Sequence, residues 1–334
     1  MATLSLCMIV RDEQDFLSGC LVSAKDIVDE IIVVDTGSAD RTKEIAAGFG
    51  ALVFDFRWGD DFSAARNFSL SKASSNWLLV LDADELVGED GKKEILELIN
   101  TPEHCLKDVI GFKLDQRTYF LKDGAEAVIT ADEAVLANNY GAHKSSKLVR
   151  LFKNNPVIRF RNKVHELVEH SIREVGGEII DTPVVLHHFS QTRKDRLHEK
   201  TEDYTDIIWK QLEQEPDNPR YNKQVAVAFM GKGRYDLALK YFTRTLKLDP
   251  KYPGLLADMG KAYLKMNDVK KAMKLFNMAI AMDKNDISSM NNLAVLYMGL
   301  GKYGVAKQIL DKALEKEPDN KYVLGNYKKL KKKL

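Results

Sequence analysis

The stretch "EIIVVDTGSADRTKEIA" (residues 30–46) decides the fold of the first half of the chain. Its apolar run ends on Asp35, and a turn of small and hydroxyl residues then leads into a helical pattern. Short apolar runs that alternate with helical patterns predict parallel strands buried on both faces. We therefore predict that Asp35 ends a strand at the carboxyl edge of a sheet, where such sheets bind ligands. The alternative is that Asp35 only caps the turn.

Three further strands are predicted around this one. They are "LSLCMIV" (4–10), "ALVFDF" (51–56) and "WLLVLDADE" (77–85), with helical patterns near 14–26, 40–49, 61–73 and 90–100. Together they predict an α/β domain with a mostly parallel, Rossmann-like sheet, in which Asp35 and Asp82 lie side by side over one crevice. Residues 115–145 look irregular, and we expect them to form a loop over the mouth of that crevice.

The second half of the chain has a 34-residue period. It relates Pro216, Pro250 and Pro318, and it aligns small and aromatic residues such as Ala226/Gly260/Ala294 and Phe229/Tyr263/Tyr297. Small residues let paired helices approach closely, which is the tetratricopeptide pattern of an all-α solenoid. We predict an α/β domain at 1–190, a linking helix at 191–218, and three tetratricopeptide repeats with a capping helix at 219–334.

Composition indicates an ordinary folded protein of two domains, because 45% of its 334 residues are apolar and 30% are charged. A formal net charge of +1 gives no case for nucleic acid as a partner. The three cysteines are odd in number and widely spaced, which suits a reducing compartment. The first apolar run stops at Arg11, too early for a secretory signal, and we expect a cytoplasmic protein without a transmembrane span.

An acidic pair, Asp82 and Asp84, follows the last of the predicted strands in "LDADE" (81–85). Alternate residues of an extended segment point the same way, so both carboxylates can face one point. Such hard oxygen ligands suit Mg²⁺ or Mn²⁺, with diphosphate oxygens and water completing the coordination shell. Arg66 lies at the centre of the helical pattern 61–73, and we expect it either to pair with a carboxylate or to contact nucleotide or phosphate.

These motifs together resemble the family-2 glycosyltransferases, which have the nucleotide-sugar-binding fold called GT-A. The resemblance covers residues 3–190 and rests on "LSLCMIVRDE", "DEIIVVDTGSADRT", "AARNFSL", "LLVLDADE", "KLVRLFKN", "NKVHE" and "LHHFS". The arrangement is similar to lipopolysaccharide-core glucosyltransferases and to peptide- or protein-modifying transferases with tetratricopeptide tails. It implies transfer of a hexose or N-acetylhexosamine from a nucleoside-diphosphate sugar, with UDP as the expected nucleotide and inversion at the anomeric carbon.

The resemblance implies a role for each matched residue on the donor side. Asp35 would bind the base or ribose, and Arg11 would line the nucleotide pocket. Asp82 would hold the ribose or a metal-bound water, and Asp84 would bind the metal ion. The family often has Asn directly after the position of Arg11, whereas this chain has Asp12.

Two histidine-containing motifs are expected to complete the site. Glu166 of "NKVHE" would be the general base on the acceptor side, with His165 as the second candidate. A structural Glu166, bound to backbone or to Arg161, is the alternative. In "VVLHHFS" (184–190) we favour His188 over its neighbour His187 as a further protein ligand of the metal.

The acceptor is expected to be a peptide or protein, because concave helical surfaces suit peptide or subunit recognition. The repeats could equally form a homodimer. The alternatives are a lipopolysaccharide core or other glycan as acceptor, and a non-catalytic adaptor, against which the intact Asp35, Asp82 and Asp84 argue. The tail "KKLKKKL" (328–334) is predicted to be a solvated cap, with an acidic partner or a membrane surface as the alternative.

Overall fold

Strand β2 (Glu30–Asp35) ends on Asp35, as predicted, and lies in the parallel part of a sheet. It pairs with β1 (Leu4–Val10) and β3 (Leu52–Asp55), and β1 also pairs in parallel with β4 (Trp77–Val80). This computed structural model describes residues 1–122, 125, 127–189 and 194–333, and only the backbone of residues 103, 142 and 194–203. Residues 190–193 and 334, parts of predicted motifs, lie outside the described residues.

In the described residues the sheet is mixed and mostly parallel, with eight strands in the order β3-β2-β1-β4-β7-β6-β8-β5. The four later strands are β5 (Glu85–Val87), β6 (Val109–Leu121), β7 (Tyr140–Lys153) and β8 (Glu178–His188). β7 runs antiparallel to both β4 and β6, and β5 runs antiparallel to β8. β6 and β8 are parallel to each other, so the α/β class predicted from the sequence is confirmed.

Helices cover both faces of the sheet, which is why its central strands are apolar on both sides. Leu4, Leu6 and Met8 of β1 pack with one group of helices, whereas Cys7 packs with the other group. The first group is α1 (Leu17–Ala24), α2 (Thr42–Gly48), α4 (Glu89–Asn100) and α5 (Glu103–Leu106). The second group is α3 (Phe62–Leu70) and α7 (Glu169–Glu174).

The prediction of an irregular loop at 115–145 is wrong over most of this range. This region contains the end of β6, the helix α6 (Glu133–Asn139) and the start of β7. Antiparallel strands carry many polar residues because one face can meet water. Breaks in the β6–β7 register after Phe112 and after Phe120 also interrupt the alternating pattern from which a strand is predicted.

Two expectations about the acidic residues need correction. β1 lies between β2 and β4, so the ends of those strands are two spacings apart, roughly 10 Å, and Asp35 and Asp82 are not side by side. The segment 77–85 is not one strand, since β4 ends at Val80 and β5 begins at Glu85. Asp82 and Asp84 therefore stand in a turn, where the rule for alternate residues of a strand does not apply.

The second compact unit, residues 204–334, is the predicted stack of helices, and the first is residues 1–203. Helix α8 (Lys194–Gln214) includes residues on both sides of this boundary, and its Trp209 packs on Phe229 and Tyr241 of the second unit, at 5.9 and 5.7 Å between ring centroids. The sequence instead places domain ends at 190 and 218. No helix of the described residues is long and apolar enough to cross a membrane.

The repeats consist of three helix pairs and a last helix. They are α9 (Pro219–Gly231) with α10 (Tyr235–Leu248), α11 (Leu255–Lys265) with α12 (Val269–Met282), α13 (Ile287–Gly299) with α14 (Tyr303–Lys316), and α15 (Lys321–Lys331). Ala226, Phe242 and Phe276 are among their fully buried side chains. The small residues of the 34-residue pattern thus lie where the helices meet, which confirms the tetratricopeptide interpretation.

Candidate active site

Asp35 holds the turn that follows β2. Its Oδ1 accepts hydrogen bonds from the backbone N–H groups of Gly37, at 2.9 Å, and Ser38, at 2.8 Å. Gly37 has a φ of 114°, which a residue with a side chain rarely adopts. The other oxygen of Asp35, Oδ2, is buried without a hydrogen-bond partner in the described part of the chain. Asp35 therefore caps the turn and keeps one acceptor for which a ligand N–H or O–H would be a partner.

The loop after β1 is joined to the same turn. The backbone N–H of Asp12 donates to Oγ of Ser38 at 2.8 Å, and its Oδ1 accepts from the N–H of Ala39 at 2.7 Å. Asp12 has a positive φ of 50°, a conformation that Asp tolerates better than most residues. Arg11 lies directly after β1 and is exposed at this edge of the sheet. Asp12 thus has a structural role where the family often has Asn.

Asp82 is held between two buried arginines. Its Oδ1 accepts from Nη2 of Arg66 at 2.7 Å, and its Oδ2 accepts from Nη2 of Arg150 at 2.8 Å. Burial opposes ionisation of Asp82, but Arg150 and Arg66 outweigh it and hold the pKa of this carboxyl well below its usual range. The turn that carries the acidic pair is therefore fixed by ionic hydrogen bonds from two other elements, α3 and β7.

Arg150 also contacts Glu85, which is completely buried. Oε1 of Glu85 accepts from Nη2 of Arg150 at 3.1 Å and from Nε2 of Gln116, while Oε2 accepts from the backbone N–H of Asp82 at 2.7 Å. Burial raises the pKa of Glu85, and Arg150 opposes this rise. Sequence reasoning gave Arg150 no role. The signal was present in "KLVRLFKN", where a charge interrupts an apolar run, because buried charges require partners.

Arg66 links the acidic turn to Glu166. Its Nε donates to Oε1 of Glu166 at 2.6 Å, and its guanidinium lies 5.6 Å from the centroid of the Phe160 ring. Burial lowers the pKa of Arg66, but Asp82 and Glu166 raise it further, so the side chain stays charged. Of the two expectations for Arg66, the carboxylate pair is the one observed.

The two candidate bases differ in their surroundings. Glu166 is 13% exposed and bonded to Arg66, not to Arg161, which pairs with Glu174 instead. The neighbouring His165 is exposed and has a positive φ of 53°. Glu166 is therefore tied through Arg66 to Asp82 of the acidic turn.

Asp84 and His188 lie next to each other. Nε2 of His188 is 3.6 Å from Oδ2 of Asp84, and its Nδ1 forms a 2.8 Å hydrogen bond with Oγ1 of Thr118. Burial lowers the pKa of His188, but the carboxylates of Asp84, Glu85 and Asp82 together outweigh it, and the net pKa is raised. His187 points elsewhere, bonds the hydroxyl of Tyr119 at 2.9 Å, and has its pKa lowered by burial. Of the two histidines, His188 is the one that lies beside Asp84.

The pair of Asp84 and His188 fits one side of a metal site. A carboxylate oxygen and an imidazole nitrogen are both ligands for Mn²⁺, and the carboxylate suits Mg²⁺. Among the described residues no group of three or more His, Cys, Asp or Glu side chains could hold a metal. An ion here would thus take its other ligands from diphosphate oxygens and water, as Mg²⁺ commonly does.

Comparison with known proteins agrees with this geometry. Residues 5–156 match the family described as Glycosyl transferase family 2. The chain contains a glycosyltransferase family 2 domain. Residues 229–295 and 287–316 of the enzyme match two families of tetratricopeptide repeat. The matched residues of the transferase domain include Arg11, Asp84 and Arg150, whereas Glu166 and His188 lie beyond them.

Three relatives illustrate the proteins to which this enzyme is similar. A TPR repeat-containing protein of Synechococcus elongatus is 32% identical over 333 residues, which are 95% of this chain and 76% of that protein. The prophage-derived glycosyltransferase SunS of Bacillus subtilis is 27% identical over 221 residues, and the match spans 66% of this chain and 47% of SunS. An uncharacterized glycosyltransferase of Rickettsia typhi is 34% identical over 210 residues, 61% of this chain and 66% of that protein.

Proposed function

We propose that this enzyme transfers a hexose or N-acetylhexosamine from a UDP-sugar to a side chain of a peptide or protein, with inversion at the anomeric carbon. One observation carries the proposal. The single guanidinium of Arg66 bonds Asp82 at 2.7 Å and Glu166 at 2.6 Å. The acidic turn on the donor side and the proposed base are therefore held at a fixed separation, which the transfer of a group between two substrates requires.

The donor would bind at the carboxyl edge of the parallel strands. The unpartnered Oδ2 of Asp35 is an acceptor for a base N–H or a ribose hydroxyl. Arg11, at the end of β1, would contact the nucleotide. Asp84 and His188 would hold Mg²⁺ or Mn²⁺, which would neutralise charge developing on the departing diphosphate. Asp82 can still accept a ribose hydroxyl, since a carboxylate has about four acceptor sites and the two arginines use two.

Glu166 would accept the proton of the attacking acceptor group. Its position is fixed by Arg66, so reorganisation at the moment of reaction is small. His165 remains the second candidate. A comparison of Glu166→Gln with His165→Ala separates the two, because the variant that lacks the base should lose turnover while its donor binding is retained.

The polypeptide acceptor is supported by the repeats, whose helical surfaces suit peptide recognition. They could instead serve a homodimer. A lipopolysaccharide core or another glycan is the second candidate acceptor, because the transferase domain itself resembles enzymes of both groups. A non-catalytic adaptor is disfavoured by the intact set of Asp35, Asp84 and Glu166.

The test is a thermal-shift screen of nucleotide sugars with and without Mn²⁺, followed by transfer assays. A ligand at 100 times its Kd adds about 2.7 kcal/mol to the free energy of unfolding. We expect the melting temperature to rise with UDP-sugars and Mn²⁺ together, and less with a chelator present. Peptide and glycan acceptors are then compared with the donor so identified. The proposal fails if no nucleotide sugar shifts melting and none is hydrolysed in the presence of metal.

A further inference from the structure

Charge is divided unevenly between the two compact units. Residues 1–203 contain 25 Lys and Arg against 35 Asp and Glu, whereas residues 204–334 contain 25 against 14. The repeats thus carry a formal net charge of +11, although that of the whole chain is +1. A charge of this size within one unit indicates an anionic partner.

The excess of positive charge lies at one edge of the helical stack. Successive helices pack on each other as antiparallel hairpins, so their turns fall alternately at two edges. We call one of them the basic edge, made of the three turns within helix pairs and the end of α15: residues 231–237, 265–271, 299–305 and 327–333. It contains eleven Lys and Arg and two Asp. The opposite edge, residues 213–219, 247–253, 281–287 and 315–321, contains five Lys and nine Asp and Glu.

Most charges of the basic edge have no ion-pair partner among the residues that the structure describes. All eleven cationic side chains are exposed. In the described part of the repeats, two of them form ion pairs: Lys271 with Asp268 at 2.9 Å, and Arg234 with Asp236 at 3.5 Å. The remaining nine are lysines at positions 232, 265, 270, 302, 328, 329, 331, 332 and 333. Their mutual repulsion would be relieved by an anionic surface that meets several of them at once.

Apolar side chains are exposed in the same turns. Met266 is 46% exposed, Leu300 52% and Val305 40%. Met266 and Leu300 are 34 residues apart, so they occupy the same position in successive repeats. An edge with lysines around protruding apolar side chains has the composition of surfaces that bind at the boundary between lipid headgroups and acyl chains.

We propose that the basic edge binds an anionic lipid surface. Ten of its eleven cations are Lys. A lysine ammonium is a point charge on a flexible stem and needs no fixed geometry, whereas recognition of one phosphate or carboxylate favours the planar fork of Arg. Clustered lysines attract anionic headgroups, and the exposed Met266 and Leu300 would enter the boundary region. The repeats would then lie on the surface of the membrane.

The experiment is cosedimentation of the full chain with vesicles of phosphatidylcholine, alone or mixed with an equal amount of phosphatidylglycerol. One variant removes three lysines from the basic edge by Lys265→Gln, Lys270→Gln and Lys302→Gln. The matched control, Lys247→Gln, Lys251→Gln and Lys284→Gln, removes the same charge from the opposite edge. All six side chains are exposed, so each variant should keep the melting temperature of the parent.

We expect binding to the mixed vesicles only, with loss of binding in about 1 M salt, where the Debye length is roughly 3 Å. The basic-edge variant should bind about a hundredfold more weakly, and the control should stay within a few-fold of the parent. Equal losses in both variants would overturn the proposal, because net charge and not the edge would then control binding. It would also be overturned if mixed vesicles are not bound while an acidic polypeptide such as polyglutamate is. These outcomes do not depend on the transfer activity.

Discussion

Replacement of Arg150 by Met tests the buried ionic network most directly. The Arg150 side chain is 8% exposed and bonds Asp82 at 2.8 Å and the completely buried Glu85 at 3.1 Å. Met fills much of the same volume but leaves Glu85 without its cation. Breaking a buried ion pair in this way costs about 3–5 kcal/mol in the free energy of unfolding. For a unit of roughly 200 residues, each kcal/mol lowers the melting temperature by about 2–4 °C, so we expect a decrease of about 6–20 °C.

The loss of stability in Arg150→Met should also depend on pH, and the contacts of Glu85 determine the direction of that dependence. Burial raises the pKa of Glu85, and Arg150 opposes this rise, so the pKa should rise further in Arg150→Met. A carboxyl with a raised pKa binds its proton more tightly in the folded than in the unfolded chain. Its contribution to stability is present at low pH and is lost as pH rises through the folded pKa. The deficit of Arg150→Met should therefore shrink between about pH 8 and about pH 5.

Thermal unfolding of the two proteins across this pH range is the assay. Arg173→Met is the matched control, because Arg173 is exposed at the end of α7 and its loss should cost no more than about 0.5 kcal/mol. Arg150→Lys keeps the charge but lacks the planar guanidinium that bonds both Asp82 and Glu85. Its melting temperature should therefore lie between those of the parent and of Arg150→Met. The reasoning would be refuted if Arg150→Met has the melting temperature of the parent, or if its loss of stability relative to the parent grows on acidification.

Three further outcomes are expected. Asp84→Ala should abolish the Mn²⁺-dependent part of UDP binding in a thermal-shift assay while the melting temperature without ligand is kept; unchanged metal dependence would contradict its role. Glu166→Gln should lower turnover by ~10²–10⁴ with donor binding retained, and near-normal turnover would remove it as the base. Gly260→Ala should destabilise the repeats by about 1–3 kcal/mol, because a Cβ would stand 2.7 Å from the Phe276 ring. Gly299→Ala, with nothing within 4 Å of its Cβ, is the control, and equal effects would disprove the packing argument.

Local sequence patterns predicted the parallel half of the sheet well. β1 and β2 have the predicted bounds because each is a short, continuous apolar run ended by a charged residue. The antiparallel strands β6 and β7 were missed, because their pairing joins residues up to about 40 positions apart and their polar faces resemble a loop. The turn at 81–84 was missed for the opposite reason. Its Leu81 and Ala83 are as buried as strand residues, so the apolar pattern runs on past the end of β4.

Residue types indicated the acidic pair and the histidine pair as candidate site residues, but not the partners of these residues. The expectation that Arg66 meets a carboxylate left its two partners unnamed, one 16 and the other 100 positions away. Arg150 could be noticed as a charge inside an apolar run, yet its partners Asp82 and Glu85 are 68 and 65 positions away. Such contacts depend on how the strands are ordered across the sheet, which a local pattern does not contain.

The network also determines which acidic residue can report on the chemistry. Both oxygens of Asp82 accept from buried arginines, so any substitution at Asp82 leaves Arg66 and Arg150 with fewer partners. Loss of activity in such a variant would follow from a disordered turn as readily as from a lost contact to the donor. Among the described residues, the ion-pair contact of Asp84 is with His188, at 3.6 Å. Its removal therefore leaves no buried arginine without a partner. The metal role is therefore separable from folding at Asp84 and not at Asp82.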